Sequence, residues 1–285
     1  MNRPEHAPRP ADYKSGVHPV WCPGCGDYGV LAAMTRAFAH LELPRERVAV
    51  VSGIGCSGRI PAYVAAYGFH GLHGRALPVA TGLKLARPDL TVLAAGGDGD
   101  IYSIGAAHFV HACRRNPDIT LIVMDNRVYG MTKGQPSPTS EPDFAAALQP
   151  EGPGVPPVDG LLLALASRAS FVARGFSGQP NELAEIIVAG IEHPGFAVIE
   201  VLSPCPTFRP EQREWKRQVQ AGLLQPANTL EEAMARVLTA PALSTGIVWR
   251  EKRAPAPMMP RPDNAKELAA MRARELAGIE RSFHP

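Results

Sequence analysis

Two acidic side chains stand in a run of glycines, Gly96-Gly97-Asp98-Gly99-Asp100, and a second polar pair, Asp125-Asn126, follows one helix length and one strand length later. Residues of these types suit phosphate and metal chemistry. Gly97 and Gly99 can adopt backbone conformations closed to other residues and let a phosphate come close. A helix opening near Ser103 would turn its N-terminal amides and positive dipole end toward that phosphate. A hard cation such as Mg²⁺ takes about six oxygens in octahedral array, from one or two carboxylates and from the phosphates of its ligand. Asp98, the side-chain oxygen of Asn126, a main-chain carbonyl just after it and two diphosphate oxygens would nearly fill that set. The elements that position these groups can be read directly. The apolar run Leu90 to Ala95 predicts a buried parallel strand ending at the carboxylates, and a helix over 103–115 stops before Asn116-Pro117. A second buried strand, Ile119 to Met124, then delivers Asp125 and Asn126. A right-handed crossover makes the two strands parallel, so Asp98 and Asn126 are expected to face one point.

Cysteine supplies the other reactive groups. Trp21-Cys22-Pro23-Gly24-Cys25 places two thiols where they can close on one metal or on each other. It looks like a rearranged thioredoxin motif, but only a polar, proline-rich arm precedes it where that motif needs a buried strand. Zinc and an iron–sulfur cluster remain open, and both need further ligands. Cys56 lies in Ser52-Gly53-Ile54-Gly55-Cys56-Ser57-Gly58-Arg59, after a strand over Val48 to Val51. Gly53, Gly55 and Gly58 satisfy the dinucleotide fingerprint, yet no Asp or Glu occurs between Arg59 and Pro88 to hold a ribose, so the segment reads as a glycine turn carrying Cys56 and Arg59 into a site. Cys205, in Ser203-Pro204-Cys205-Pro206, again stands where a strand leaves the sheet. Cys113, on one helical face with Phe109, is assigned to packing.

The rest of the chain frames these groups. With 285 residues, 45% hydrophobic and 20% charged, the composition is that of an ordinary globular protein of one large α/β domain with an extension, or of two domains. A net charge of +2 gives no reason to invoke nucleic acid or membrane. No apolar run approaches membrane-spanning length and no secretory signal is evident, so a cytoplasmic location is expected, where five cysteines argue for metal, catalysis or burial rather than disulfides. Helices are expected over 27–40, from Ala62 to Tyr67, over 76–86, near 159–168 and near 180–193, with strands near 170–174 and 197–202. The glycine- and histidine-rich stretch 68–75, with His70 and His73, reads as a surface loop. Beyond Asn126, Lys133-Gly134 lacks the Walker order, and the long loop through PSPTSEPDF lies where open α/β sheets bind ligands. From Arg209 on, helices are expected over 211–224, over 229–239 behind a Thr229/Glu232 capping box, and over 263–281, with a short strand at Gly246 to Trp249. The implied organisation is an N-terminal arm (1–16), an α/β domain (17–208) and a mainly helical, subunit-contacting extension (209–285).

The spacing of GDG and the later Asn resembles the thiamine diphosphate motif. Together with Cys22, Cys25, Cys56 and Cys205, DNRVYGMTKGQ at 125–135 and SPCPTF at 203–208, it closely resembles the β subunit of 2-oxoacid:ferredoxin oxidoreductases, over roughly residues 15 to 210. The resemblance implies an open, mostly parallel sheet with helices on both faces, of the diphosphate-domain type. It implies a 4Fe-4S cluster on Cys22, Cys25, Cys56 and Cys205, and thiamine diphosphate against Ile54, Gly55, Cys56, Ser57 and His73. By the same resemblance Mg²⁺ would be held by Asp98, Asn126 and the Val128 carbonyl, and the diphosphate lined by Gly99, Gly130 and Met131, beside Gly97 and Asp100 of the cradle. Arg59 falls where the far carboxylate of a dicarboxylic substrate would be met, and Lys133 where coenzyme A binds. The activity implied is decarboxylation of a 2-oxo acid at the thiamine ylide, 2-oxoglutarate by Arg59, with one-electron transfer through the cluster to ferredoxin and acyl transfer to coenzyme A. Pyruvate or branched-chain 2-oxo acids are the nearest alternative substrates, and a non-catalytic electron-transfer or zinc-stabilised assembly subunit is the alternative class. The Glu that activates thiamine belongs to a separate α subunit in this family, so the expected unit is αβ, doubled to a heterotetramer.

Overall fold

The computed structural model describes residues 7–255 together with 269–270, 272–274 and 276–277. Its strands are β1 (Val48–Ser52), β2 (Tyr67–His70), β3 (Thr91–Gly97), β4 (Ile119–Asp125), β5 (Phe171–Phe176), β6 (Phe196–Leu202), β7 (Gln220–Leu224) and β8 (Ser244–Arg250). The helices are α1 (Asp27–His40), α2 (Ala76–Ala86), α3 (Ala106–Arg115), α4 (Gly160–Ala166), α5 (Pro180–Ile191), α6 (Trp215–Gln218) and α7 (Leu230–Thr239). The strands form one sheet in the order β2-β1-β3-β4-β6-β5-β8-β7. Its neighbours pair in parallel, except that β8 runs antiparallel to β5.

Strands β1, β4 and β6 are buried along their whole length, as expected of apolar runs covered on both faces. The period of two divides them between two cores. Val48, Val50, Leu93 and Ala95 pack with Val30, Met34 and Phe38 of α1 and Leu183 and Ile187 of α5. Ala49, Val51, Val92 and Ala94 pack on the other face with Leu77, Phe109, Leu161 and Ala233, from α2, α3, α4 and α7. Parallel pairing aligns the strand ends: Ser52 lies beside Ala95, Gly97 beside Met124 and Asp125 beside Leu202. The segments after β1, β3, β4 and β6 therefore leave the sheet at one carboxyl edge, where ligands of open α/β sheets bind.

Two expectations are corrected. Residues 62–67 do not form an α-helix: a 3-10 segment, Ser57–Tyr63, contains Pro61 and gives way to extended chain after Tyr63. Val64 there bridges Lys14 of the N-terminal arm, and Tyr67–His70, expected as a helix end followed by loop, forms the edge strand β2 on β1. Residues 211–224 are not one helix either. Pro210–Glu214 makes a 3-10 turn, α6 is a single turn, and β7 follows, with Gly222 at φ +66°. Trp215 fixes that break by burying against Phe176 and Leu202. The extension thus supplies α7 and also two strands of the same sheet. Thr229 caps α7 by accepting from the Glu232 amide at 3.2 Å, while Glu232 accepts from Asn228. Most of the helix expected over 263–281 lies outside the described residues; those described within it are helical.

Candidate cofactor site

β3 runs out at Gly97 and sets Asp98 and Asp100 below the surface, each 2% exposed. Thr139, reaching in from the long loop, places Oγ1 2.7 Å from Asp98 Oδ2 and 2.7 Å from Asp125 Oδ1. Burial drives both carboxyls above their ordinary pKa, and the charge of Asp98 pushes Asp125 up further. A cation seated against Asp98 would reverse that shift, so the pair fits a metal. The helix expected at Ser103 begins irregularly: a π-helical turn, Asp100–Ile104, is kinked at Ser103, and α3 starts at Ala106.

Asp100 ties the neighbouring segments to this edge. Its Oδ1 accepts from the amides of Ile54 (3.1 Å) and Gly74 (2.8 Å) and meets His73 Nδ1 at 2.6 Å. Its Oδ2 is buried with no hydrogen-bond partner among the described residues. Gly53 has to be glycine here, because a Cβ would collide with this carboxylate; at Gly99 it would collide with the ring of Tyr129, whose hydroxyl donates to the Gly99 carbonyl. Asn126 folds its side-chain oxygen onto the amide of Val128 at 3.1 Å, around Arg127 in the left-handed region at φ +57°. Thus Ile54, Gly55, Cys56, Ser57, His73, Gly97, Asp98, Gly99, Asp100, Asn126, Val128 and Gly130 come from four strand ends to one edge, with Met131 exposed beside them.

The cysteines gather at the same edge. The indole of Trp21 donates to the Cys56 carbonyl at 2.8 Å, and the Gly26 amide donates to the Pro204 carbonyl at 2.9 Å. These bonds lash the Cys22–Cys25 segment to the turn after β1 and to the segment after β6. A Cβ on Gly130 would stand 3.7 Å from Cys205 Sγ and 3.9 Å from Cys56 Sγ, so both sulfurs flank the loop that carries Asn126. All four thiols are free, and Cys113 is fully buried in the core, in keeping with packing. Burial first, and the charge of Asp27 second, raise the Cys56 thiol to about 11; burial also raises Cys25 and Cys205. Such thiols stay protonated at neutral pH unless a cation holds the thiolate. Among the described residues no three His, Cys, Asp or Glu side chains surround one point as a single metal ion requires. The thiols share a region, which suits a group that spreads its ligands over several metal atoms.

Residues 53–201 match the family described as thiamine pyrophosphate enzyme, C-terminal TPP-binding domain. The chain is 48% identical over 198 residues to 2-oxoacid:ferredoxin oxidoreductase 2, subunit beta, of Aeropyrum pernix, covering 69% of this chain and 64% of that one. It is 46% identical over 197 residues to 2-oxoglutarate oxidoreductase subunit KorB of Mycobacterium tuberculosis, covering 69% of this chain and 53% of the other. This chain belongs to the β-subunit family of the 2-oxoacid:ferredoxin oxidoreductases. It spans between half and two thirds of the length of these two relatives. Among solved structures, the 2-oxoglutarate:ferredoxin oxidoreductase from Magnetococcus marinus, with 2-oxoglutarate, coenzyme A and succinyl-CoA bound, matches with a TM-score of 0.82 and 39% identity, over 97% of this chain and 96% of that one.

Two candidate residues of this β-subunit chain stand apart from the buried cradle. Arg59 is exposed on the 3-10 segment, near enough to Cys56 to favour its thiolate, and Lys133 is exposed in the loop at φ +85°. Among the described residues neither forms an ion pair. Other site residues were missed in the sequence: Thr139, Glu141, Arg209 and Gln212. Glu141 pairs with Arg127 at 2.6 Å and Arg209 at 2.8 Å, and Arg209 also donates to the Arg127 carbonyl at 3.0 Å and covers the Phe144 ring. The long loop at the carboxyl end of β4 was a signal for Thr139 and Glu141; nothing in the sequence marked Arg209 and Gln212.

Proposed function

We propose that the chain is the β subunit of a 2-oxoglutarate:ferredoxin oxidoreductase. With an α partner it converts 2-oxoglutarate, coenzyme A and oxidised ferredoxin into succinyl-CoA, CO₂ and reduced ferredoxin. The observation that carries the reading is that the loop 126–130 touches both halves, Tyr129 bonding Gly99 of the cradle and Gly130 lying beside the thiols of Cys56 and Cys205. Bound at this edge, thiamine diphosphate would supply the carbon nucleophile for decarboxylation and a 4Fe-4S cluster the one-electron outlet. Asp98, Asn126 and the Val128 carbonyl are the proposed holders of Mg²⁺, and Cys22, Cys25, Cys56 and Cys205 those of the cluster. Asp100 holds His73 by its Nδ1, which leaves Nε2 as the ring nitrogen available to the cofactor. Arg59 is proposed to hold the far carboxylate of the substrate and Lys133 the phosphates of coenzyme A. The activating Glu comes from the α subunit, which residues 209–285 help to contact.

The names of the Mycobacterium tuberculosis and Magnetococcus marinus relatives support 2-oxoglutarate as the substrate. The test is turnover by the αβ complex of 2-oxoglutarate, pyruvate and branched-chain 2-oxo acids with coenzyme A and a ferredoxin or viologen acceptor. Equal or better use of pyruvate sinks the substrate assignment. Arg59→Ile is expected to lower kcat/KM for 2-oxoglutarate about 10- to 100-fold, the worth of a charge-assisted bidentate contact, and to spare pyruvate. Zinc without acid-labile sulfide in the purified complex would point instead to a structural role for the thiols.

A further inference from the structure

Gln212, 1% exposed in the 3-10 turn Pro210–Glu214, links the two halves of this site through one side chain. Its Nε2 donates to the Asn126 carbonyl at 2.8 Å, and its Oε1 accepts from the Cys205 amide at 2.8 Å. The orientation is fixed by its partners, since a carbonyl demands the amide nitrogen and an N–H demands the amide oxygen. The turn that carries it is closed on the same cysteine: the Arg209 amide donates to the Cys205 carbonyl at 2.8 Å and the Gln212 amide to the Arg209 carbonyl at 3.0 Å. On the other side, Arg127, next to Asn126, has its carbonyl held by Arg209 at 3.0 Å and by Ser140 at 2.7 Å. The main chain at Asn126 and the main chain at Cys205 are therefore opposite ends of one planar, buried amide. Neither end moves without straining a hydrogen bond to this buried side chain.

We propose that Gln212 is a positioning residue that couples filling of the Asn126 loop to filling of the thiol site. It rests on the cofactor assignment above, and it goes beyond that assignment in making the two groups thermodynamically linked through a residue that touches neither. When the Asn126 loop settles around the metal and diphosphate, Gln212 holds the Cys205 backbone in the conformation that presents its thiolate, and the linkage is reciprocal.

The test uses the anaerobic αβ complex loaded with iron and sulfide. A ferrous chelator bleaches its visible absorbance, and the rate is read with and without thiamine diphosphate and Mg²⁺. In the natural protein the cofactor is expected to slow bleaching about tenfold, and Gln212→Met, which keeps the bulk and loses both bonds, to bring that ratio close to one. Gln212→Glu keeps the acceptor for the Cys205 amide and loses the donor to Asn126. Its cofactor-free rate should match that of the natural protein while its protection disappears, which also covers the case in which the Met variant does not fold. A side chain that only supported the fold would raise both rates together and leave the ratio unchanged. A natural complex that binds both groups without protection, or variants that retain it, overturn the proposal alone. A natural complex without iron and sulfide overturns the functional assignment and this coupling with it.

Discussion

Thr139 Oγ1 sits 2.7 Å from a carboxylate oxygen of each of Asp98 and Asp125, yet a hydroxyl has a single proton to give. One of the two contacts then requires a proton on a carboxyl, in line with the raised pKa of both acids. A divalent cation at Asp98 removes that need by compensating the negative charge. Thr139→Val keeps the shape and deletes the hydroxyl, leaving two buried carboxylates without their shared donor. The expected outcome is about tenfold weaker binding of thiamine diphosphate at fixed Mg²⁺, read by calorimetric titration of the αβ complex, with Thr139→Ser restoring most of it. An unchanged dissociation constant in the Val variant would remove Thr139 from the site. Asp98 and Asn126 were legible because glycine spacing and strand ends announce them. Thr139 and Gln212 were not, because their importance comes from chain segments that only the fold brings together.

The elements whose limits are set locally were read closely. α1 and α2 fall on the expected residues, and β3, β4 and β6 differ from their expected limits by one or two residues at an end. The two misread stretches are those decided by a distant partner. Residues 64–70 are extended because the N-terminal arm and β1 pair with them, and residues 220–224 because β8 does. Capping is a local device, so its effect is calculable. Thr229→Ala removes the acceptor for the Glu232 amide at the start of α7 and is expected to cost about 1 kcal/mol, or about 2–4 °C in Tm. Calorimetry of the complex checks it, and activity should be untouched because the cap is solvent-exposed and α7 carries none of the site residues.

At the scale of the molecule, the amino edge of the sheet is a lock. Asn116, left-handed at φ +55°, donates to the carbonyls of Arg253 and Ala254, each at 3.1 Å, and Arg253 donates to those of Cys113 and Arg168. Ser170 joins this cluster with His193 Nε2 at 2.7 Å. Burial, and secondly the charge of Arg250, lower the His193 pKa from its ordinary value. Its neutral form is thus the folded one, so the stability it contributes is present above about pH 6.5, the unfolded value, and is lost as pH falls below it. His193→Gln should flatten the fall in Tm between pH 8 and pH 5; parallel Tm profiles for both proteins would exclude His193 as the titrating group.

Strand β2 ends the row of described strands at one side, and Tyr67 and Phe69 on it are 56% and 52% exposed. Such a border, apolar and with main-chain groups facing outward, recruits further strands from other molecules. Its consequence is colloidal. The chain produced alone is expected to assemble into thioflavin-positive aggregates at high concentration, and Phe69→Lys, placing a charge on that border, to keep it dispersed in light scattering.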